Sequence, residues 1–276
     1  KEIAVSIENT GFVYCQSTYS GGAISSNSAR ISICLSCFDH CNAKDASVLD
    51  IHATKTVELD GVTTTHTTEA SKNSYEINSI DGCKIYNLNI SDCSATKCIN
   101  INEETGGVFL SLQFSDLNAA DGDLLLFVSP KERSIVSDTR FNGGNVKGVI
   151  STEDQLTFSR CAFQVKTNQK LAEISTGLLN LRECIFSISK ASLQDVITGE
   201  YATPDCTFDQ VDPKASQPSE FQNQCWDHIP TLQTETETKE NLPSSSKRGL
   251  IIGLCVIFIV IIAVIVSFFI YKRFKK

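Results

Sequence analysis

Hydrophobic and polar positions alternate in a fixed frame along the first 208 residues. The frame is clearest at Ile31-x-Ile33-x-x-Ser36-x-Phe38, within the segment 21–43. Alternation with a period of two is typical of a half-buried strand, so each copy predicts two short strands separated by a corner. Further copies begin at Val5, Cys83, Leu156 and Leu179.

The last apolar residue of each frame, here called the anchor, recurs every 22 to 28 residues. The anchors are Phe12, Phe38, Val62, Ile90, Phe114, Phe141, Phe163, Phe186 and Phe208. A third apolar patch follows most anchors. Three short strands per repeat predict an all-β solenoid, a right-handed parallel β-helix of about nine turns over residues 1–208.

A leucine-rich-repeat solenoid has an overlapping period and is the alternative fold. Its Leu-x-x-Leu-x-Leu-x-x-Asn string is absent from this chain. Pro130 is the only proline in the first 200 residues, whereas the bacterial repeat type with Phe-x-x-Cys usually has one in each repeat. The β-helix is therefore the favoured interpretation.

The C-terminal region has a different character. Residues 249–270 form a run of 22 positions without a charge, which as a helix spans ~33 Å and matches the ~30 Å hydrocarbon core of a bilayer. Four cations follow the run and two precede it. The sequence predicts a transmembrane helix at 249–270, a basic cytoplasmic tail at 271–276, and an interface at Tyr271, Lys272 and Arg273.

Residues 209–248 are polar and contain four prolines, which predicts an extended tether. Phe221, Cys225 and Trp226 interrupt it and are interpreted as a cap on the open end of the solenoid. The chain lacks Met and begins at Lys1, so an N-terminally incomplete or processed ectodomain is expected.

Charge and cysteine content indicate an extracellular ectodomain. The chain carries a net charge of −8, and the six cations after Glu240 leave −14 for the residues before them. Such an acidic domain is a poor partner for nucleic acid. Eleven cysteines precede the predicted membrane segment, which suits an oxidising compartment, and because eleven is odd at least one is unpaired within it.

Gly21-Gly22-Ala23-Ile24 followed by Phe38-x-x-Cys41 resembles the repeat of chlamydial polymorphic outer-membrane proteins. That family carries Gly-Gly-Ala-[Ile/Leu/Val] and Phe-x-x-Asn repeats on a β-helix, and Cys stands here at the Asn position. Together with one membrane helix and a short basic tail, the chain is similar to surface proteins of trichomonad parasites. The resemblance implies host-cell adhesion and surface variation.

Cysteines at equivalent positions of neighbouring turns are disulfide candidates. Cys15 and Cys41 each lie three positions past an anchor, and stacked rungs bring Cα atoms within disulfide range. The inward series Cys161, Cys184 and Cys206 is instead expected to be a reduced stack, because neighbours already paired in a sheet leave little loop entropy for a disulfide to remove.

The sequence offers two candidate metal-ligand sets, and neither has enough supporting residues to predict a site. Zinc is a candidate for Cys34, Cys37, His40 and Cys41, but no second paired-Cys motif supports it. Asp92 and Asp116 lie two positions past successive anchors and would place two carboxylates together for Ca²⁺. The surrounding turns add few acids, so a solvated corner is preferred. No metal or cofactor is predicted.

The sequence is read as a plasma-membrane surface protein with an extracellular ectodomain. It is expected to act as an adhesin or displayed antigen that binds a host-cell protein or glycan, with Asn89 as the one N-glycosylation sequon. Two longer turns, 69–79 and 129–137, are expected to form partner-binding loops. The alternatives are a tethered polysaccharide lyase or glycosidase, for which paired acids are not found, and a structural coat protein.

Overall fold

The structure is a computed structural model that describes residues 2–67, 70–115, 117, 124–130, 132–142, 146, 148–153, 155–166 and 168–214. The described residues belong to one compact unit, Lys1–Ile229. They form a parallel β-solenoid of about seven turns. The predicted cap, tether, membrane segment and tail beyond residue 214 lie outside the described residues. Within the described ranges, no helix is long and apolar enough to cross a bilayer.

Strands make up nearly all of the regular structure. The first twelve are β1 (Ala4–Glu8), β2 (Gly11–Val13), β3 (Gln16–Ser17), β4 (Ile24–Ser28), β5 (Arg30–Cys34), β6 (Cys37–Asp39), β7 (Asn42–Ala43), β8 (Ala46–Ala53), β9 (Val57–Thr65), β10 (Ala70–Ser79), β11 (Cys83–Ser91) and β12 (Ala95–Glu103). The others are β13 (Val108–Leu110), β14 (Gln113–Ser115), β15 (Leu124–Pro130), β16 (Ser134–Ser137), β17 (Arg140–Asn142), β18 (Gly148–Thr152), β19 (Leu156–Ser159), β20 (Ala162–Gln164), β21 (Lys170–Arg182), β22 (Ile185–Phe186) and β23 (Ile197–Ala202). A 3₁₀ turn, Lys190–Ser192, leads into one short helix, α1 (Leu193–Val196).

The strands stack in three parallel ladders. The first ladder runs β1, β5, β9, β11, β13, β16, β19, β21 and β23. The second runs β2, β6, β9, β11, β14, β17, β20 and β22. The third runs β4, β8, β10, β12, β15, β18, β21 and β23. Strands on three sides of each turn exclude the leucine-rich-repeat alternative.

One residue on each rung of the first ladder bends the chain toward the second ladder, and it has a left-handed backbone. Its φ lies between +47° and +64° in every rung. The nine residues are Asn9, Leu35, Gly61, Asn87, Ser111, Asp138, Arg160, Glu183 and Asp205. Left-handed conformation costs roughly 1–2 kcal/mol for a residue with a Cβ. At least part of that cost is offset because the amide donates to the next rung, as Leu35 does to the Asp60 carbonyl at 2.8 Å.

Eight of the nine predicted anchors form one interior column. Phenylalanine rings stack along it, with centroids 5.0 Å apart for Phe12 and Phe38 and 4.9 Å apart for Phe141 and Phe163. Phe38 and Phe163 are fully buried. Phe12 is only half-buried because it belongs to the first described rung, and the same holds for Val5 and Ile7.

The third anchor was assigned to the wrong residue. Phe38 pairs with Thr64, and Thr64 pairs with Ile90, so Thr64 occupies the anchor column. Val62 lies two residues earlier and pairs with Leu88. Thr64 is fully buried and its hydroxyl hydrogen-bonds the phenol of Tyr75, which satisfies a polar group in the core.

The solenoid has about seven turns instead of the nine predicted from the anchors. An anchor marks one strand, whereas a turn needs strands on all three sides. Phe208 stacks on Phe186 at 5.3 Å, but Thr207 makes only an isolated bridge to Ile185, and no described strand follows it. The last anchor therefore extends the column without completing a turn.

Candidate ligand-binding face

The outward side of the third ladder carries a column of polar side chains, one per rung. The register places Asn27, His52, Asn78, Asn102 and Ser129 in line. Alternating positions of the same strands, such as Ile51, Ile77 and Ile101, are buried in the core. We call these five outward residues the polar ladder. Strand alternation fixes its direction, because inward isoleucines leave the intervening side chains facing solvent.

Hydrogen bonds connect the middle of the polar ladder. The Asn102 amide donates to Asn78 Oδ1 at 3.0 Å, and Asn78 Nδ2 lies 3.3 Å from His52 Nδ1. At its far end, the Ser129 hydroxyl donates to Glu153 at 2.9 Å. The row is therefore already oriented before any ligand arrives, which lowers the entropic cost of binding.

Glu76 organises the ladder from the adjacent outward position. Asn73 and Asn100 each donate an amide hydrogen to Glu76 Oε2 at 2.6 Å. Asn78 and Asn102 donate to Oε1 at 3.3 Å. Four amide donors around one carboxylate hold it as an acceptor in a fixed position.

An open groove of about 380 Å³ follows the ladder. It is lined by the polar ladder together with Ala53, Thr54, Ser79, Ile80, Glu103 and Glu104. Amides, an imidazole, hydroxyls and the exposed carboxylate of Glu104 there offer both hydrogen-bond donors and acceptors along the groove. The groove can thus hydrogen-bond an extended molecule rich in hydroxyl groups, repeating its contacts from rung to rung.

The two segments expected to be binding loops are mostly strand. Residues 70–79 are strand β10, and residues 129–137 span the end of β15 and all of β16. In the first segment the extra residues lengthen a strand, since β10 has ten residues and β4 has five. The prediction that these segments are loops is wrong, and their part in partner binding stays a prediction. Sequence reasoning missed the polar ladder because only apolar positions were aligned between repeats.

Nine of the ten cysteines that the structure describes are free thiols. Cys15 and Cys41 lie on adjacent rungs, since the amide of Asn42 donates to the carbonyl of Cys15. Both thiols are free, and their disulfide stays a prediction. Cys161, Cys184 and Cys206 are also free and stacked, as expected for a reduced series. The tenth described cysteine, Cys37, is disulfide-bonded.

Cys37 is therefore unavailable to the four-residue zinc set considered from the sequence. Asp92 lies at a corner, but Asp116 is outside the described residues, so their calcium pair is not tested. Asn89 lies on the outward side of β11 between buried Leu88 and Ile90, and its glycosylation stays a prediction. Tyr271, Lys272 and Arg273 are outside the described residues.

No protein-family model, no curated protein and no solved structure matches the chain. The case for function therefore depends on the chain's own residues.

Proposed function

We propose that this protein is a membrane-anchored surface adhesin whose solenoid binds a glycan chain of a host cell along the polar ladder. The observation that carries the proposal is the five-rung outward row of amide, imidazole and hydroxyl groups, aligned with the solenoid axis. A linear sugar chain presents hydroxyl groups at regular intervals. A ladder with one polar residue per rung, ~4.8 Å apart, can meet such a chain repeatedly.

Placement at the cell surface is part of this proposal. The uncharged run 249–270 and the basic residues after it support a plasma-membrane span with the ectodomain outside and the C-terminus in the cytoplasm. The phenylalanine-packed, parallel solenoid supports a right-handed β-helix that presents the ladder on a stiff scaffold. In this arrangement the partners are the bilayer and the host glycan.

Adhesion by displayed full-length chain tests the proposal. Non-adherent cells that express the chain should attach to host-cell monolayers, and removal of surface glycans from the monolayer should abolish attachment. Replacing the ladder amides with Asn78→Ala and Asn102→Ala should reduce attachment at least tenfold. Glu58→Gln is the matched control, because Glu58 is equally outward but lies on the first ladder.

Three outcomes contradict the proposal. Cells with the chain attach no better than cells without it, attachment survives glycan removal, or the Glu58→Gln control loses as much attachment as the ladder variant. Equal surface expression of all variants, measured with an antibody to an added epitope, establishes that the comparison concerns binding.

A further inference from the structure

A second cluster of polar groups lies at the corner that follows the second ladder. The left-handed residues two positions past the anchors are Tyr14, His40, His66 and Asp92 on four consecutive rungs. Their side chains stack along the solenoid axis. Ring centroids are 4.7 Å apart for Tyr14 and His40 and 4.8 Å apart for His40 and His66. We call Asp39, His40, His66 and Asp92 the histidine corner.

One carboxylate oxygen brings the two imidazoles together. Asp39 Oδ1 lies 2.8 Å from His40 Nδ1 and 2.9 Å from His66 Nδ1. Asp39, His40 and His66 each offer one atom that could ligate a metal, and these three atoms lie within 4.8 Å of one another. Asp39 is buried and thus held in place, whereas the histidine side chains are about two-fifths exposed. The cluster is therefore rigid on its inner side and open to solvent on its outer side.

The contact between His40 and Asp39 is not a hydrogen bond. His40 Nδ1 is shielded from solvent, yet it has no hydrogen-bond partner among the described atoms despite its 2.8 Å separation from Asp39 Oδ1. A buried ring nitrogen without a partner is costly. A cation placed between the nitrogen and the oxygen would remove that cost, because both atoms would then coordinate it.

The other nitrogen of His66 has the partner that a metal-bound histidine normally has. His66 Nε2 lies 3.5 Å from Asp92 Oδ2 on the next rung. Histidines that bind a metal through one nitrogen usually donate the other N–H to a carboxylate, which fixes the tautomer and increases the basicity of the ligand. This contact is independent of the Asp39 contact and points to the same chemistry.

We infer that the histidine corner binds a divalent transition metal of the zinc type through Asp39 Oδ1, His40 Nδ1 and His66 Nδ1. Two imidazoles and one carboxylate suit zinc better than calcium, which takes six to eight oxygens. Ligand atoms ~2.1 Å from a tetrahedral ion lie roughly 3.4 Å apart, so the two short contacts would open by about half an ångström on binding. A fourth position remains open toward solvent.

Metal titration of the full chain in mild detergent tests this inference. Zn²⁺ alone should bind at one equivalent to this corner and raise the thermal midpoint. Co²⁺ alone should give visible d–d absorption without the near-ultraviolet thiolate band that cysteine ligands would produce. His40→Gln and His66→Gln should each weaken Zn²⁺ binding at least tenfold, and Asp92→Asn about tenfold through the orientation of His66.

His52→Gln is the matched control. His52 also lies 3.1 Å from a carboxylate, that of Asp50, but is on the third ladder and outside the corner. Its replacement should leave Zn²⁺ affinity unchanged. On the unmodified chain, Zn²⁺ should protect His40 and His66, and not His52, from diethylpyrocarbonate, which tests the site even where a variant fails to fold.

The inference is overturned by any of four results. The chain binds no Zn²⁺ at stoichiometric concentration, a thiolate band accounts for all bound Co²⁺, the His52→Gln control weakens binding as much as His40→Gln, or Zn²⁺ leaves His40 and His66 unprotected. Adhesion does not enter these measurements, so this inference and the proposed function can fail separately.

Discussion

Glu103 should make the solenoid less stable as pH rises from about 5 to 8. Its carboxyl ends strand β12 inside the core and is only 3 % exposed. The Ser134 hydroxyl donates to Oε1, but Oε2 is buried without a hydrogen-bond partner. Burial raises the pKa of Glu103 from its ordinary 4.5 to about 7, although the bond from Ser134 acts in the opposite sense.

The sign and size of the effect follow from proton linkage. Below the unfolded value of 4.5, the carboxyl is protonated in both states and burial carries no ionic cost. Between 4.5 and about 7, the folded state keeps a proton that the unfolded state has released, so stability falls as pH rises. Above about 7 the full cost is present, and the difference between the two pKa values corresponds to about 3 kcal/mol.

Glu103→Gln removes the ionisable group. The stability of the variant relative to the parent chain should therefore increase as pH rises from 5 to 8. The variant should gain about 2.5 kcal/mol on the parent chain between these two pH values, because part of the ionic cost is already present at pH 5. That is roughly 5–10 °C in thermal midpoint for a domain of this size. Thermal unfolding followed by circular dichroism measures it, and the quantity compared is the change with pH of the difference between variant and parent. Other titrating groups then cancel.

Glu104→Gln is the control, since Glu104 is the next residue and is exposed. It should show no such dependence on pH. A Glu103→Gln difference that stays constant between pH 5 and 8, or one that Glu104→Gln reproduces, would refute the burial argument.

Three further predictions concern the core, the thiols and the topology. Phe163→Ala should destabilise the chain by ~3–5 kcal/mol, because Phe163 is fully buried between stacked rings, and a loss below 1 kcal/mol in chemical denaturation would contradict that packing. Burial raises the pKa of Cys93 to about 12, so Cys93 should resist alkylation at pH 8 while half-buried Cys34 reacts. Mass spectrometry of the labelled chain measures both rates, and equal rates would contradict the prediction. External protease on intact cells should reach residues 1–248 and spare an epitope placed after residues 271–276, and the reverse pattern would overturn the proposed orientation.

The face that each strand presents is a local property, and alternation alone predicted it. Ile31, Ile33 and Phe38 are buried because a strand places every second side chain on one side, whatever lies on the neighbouring rungs. The recurrence of the frame was enough to predict stacking into an all-β solenoid. The uncharged C-terminal run and the cations after it likewise predicted a membrane span from the sequence alone. Those residues lie outside what the structure describes, so the span stays a prediction.

The register between rungs was not decided locally. Val62 and Thr64 are two positions apart and so point to the same side, and hydrophobicity favours the wrong one as the anchor. Tertiary structure selects Thr64, because Tyr75 from strand β10 satisfies its hydroxyl inside the core. With Val62 taken as the anchor, the residue two positions past it is Thr64 instead of His66. The stacking of His66 on His40, and with it the histidine corner, was therefore missed from the sequence. Contacts between residues about 26 positions apart, such as Asp39 with His66, exist only once the corners have set the length of each turn.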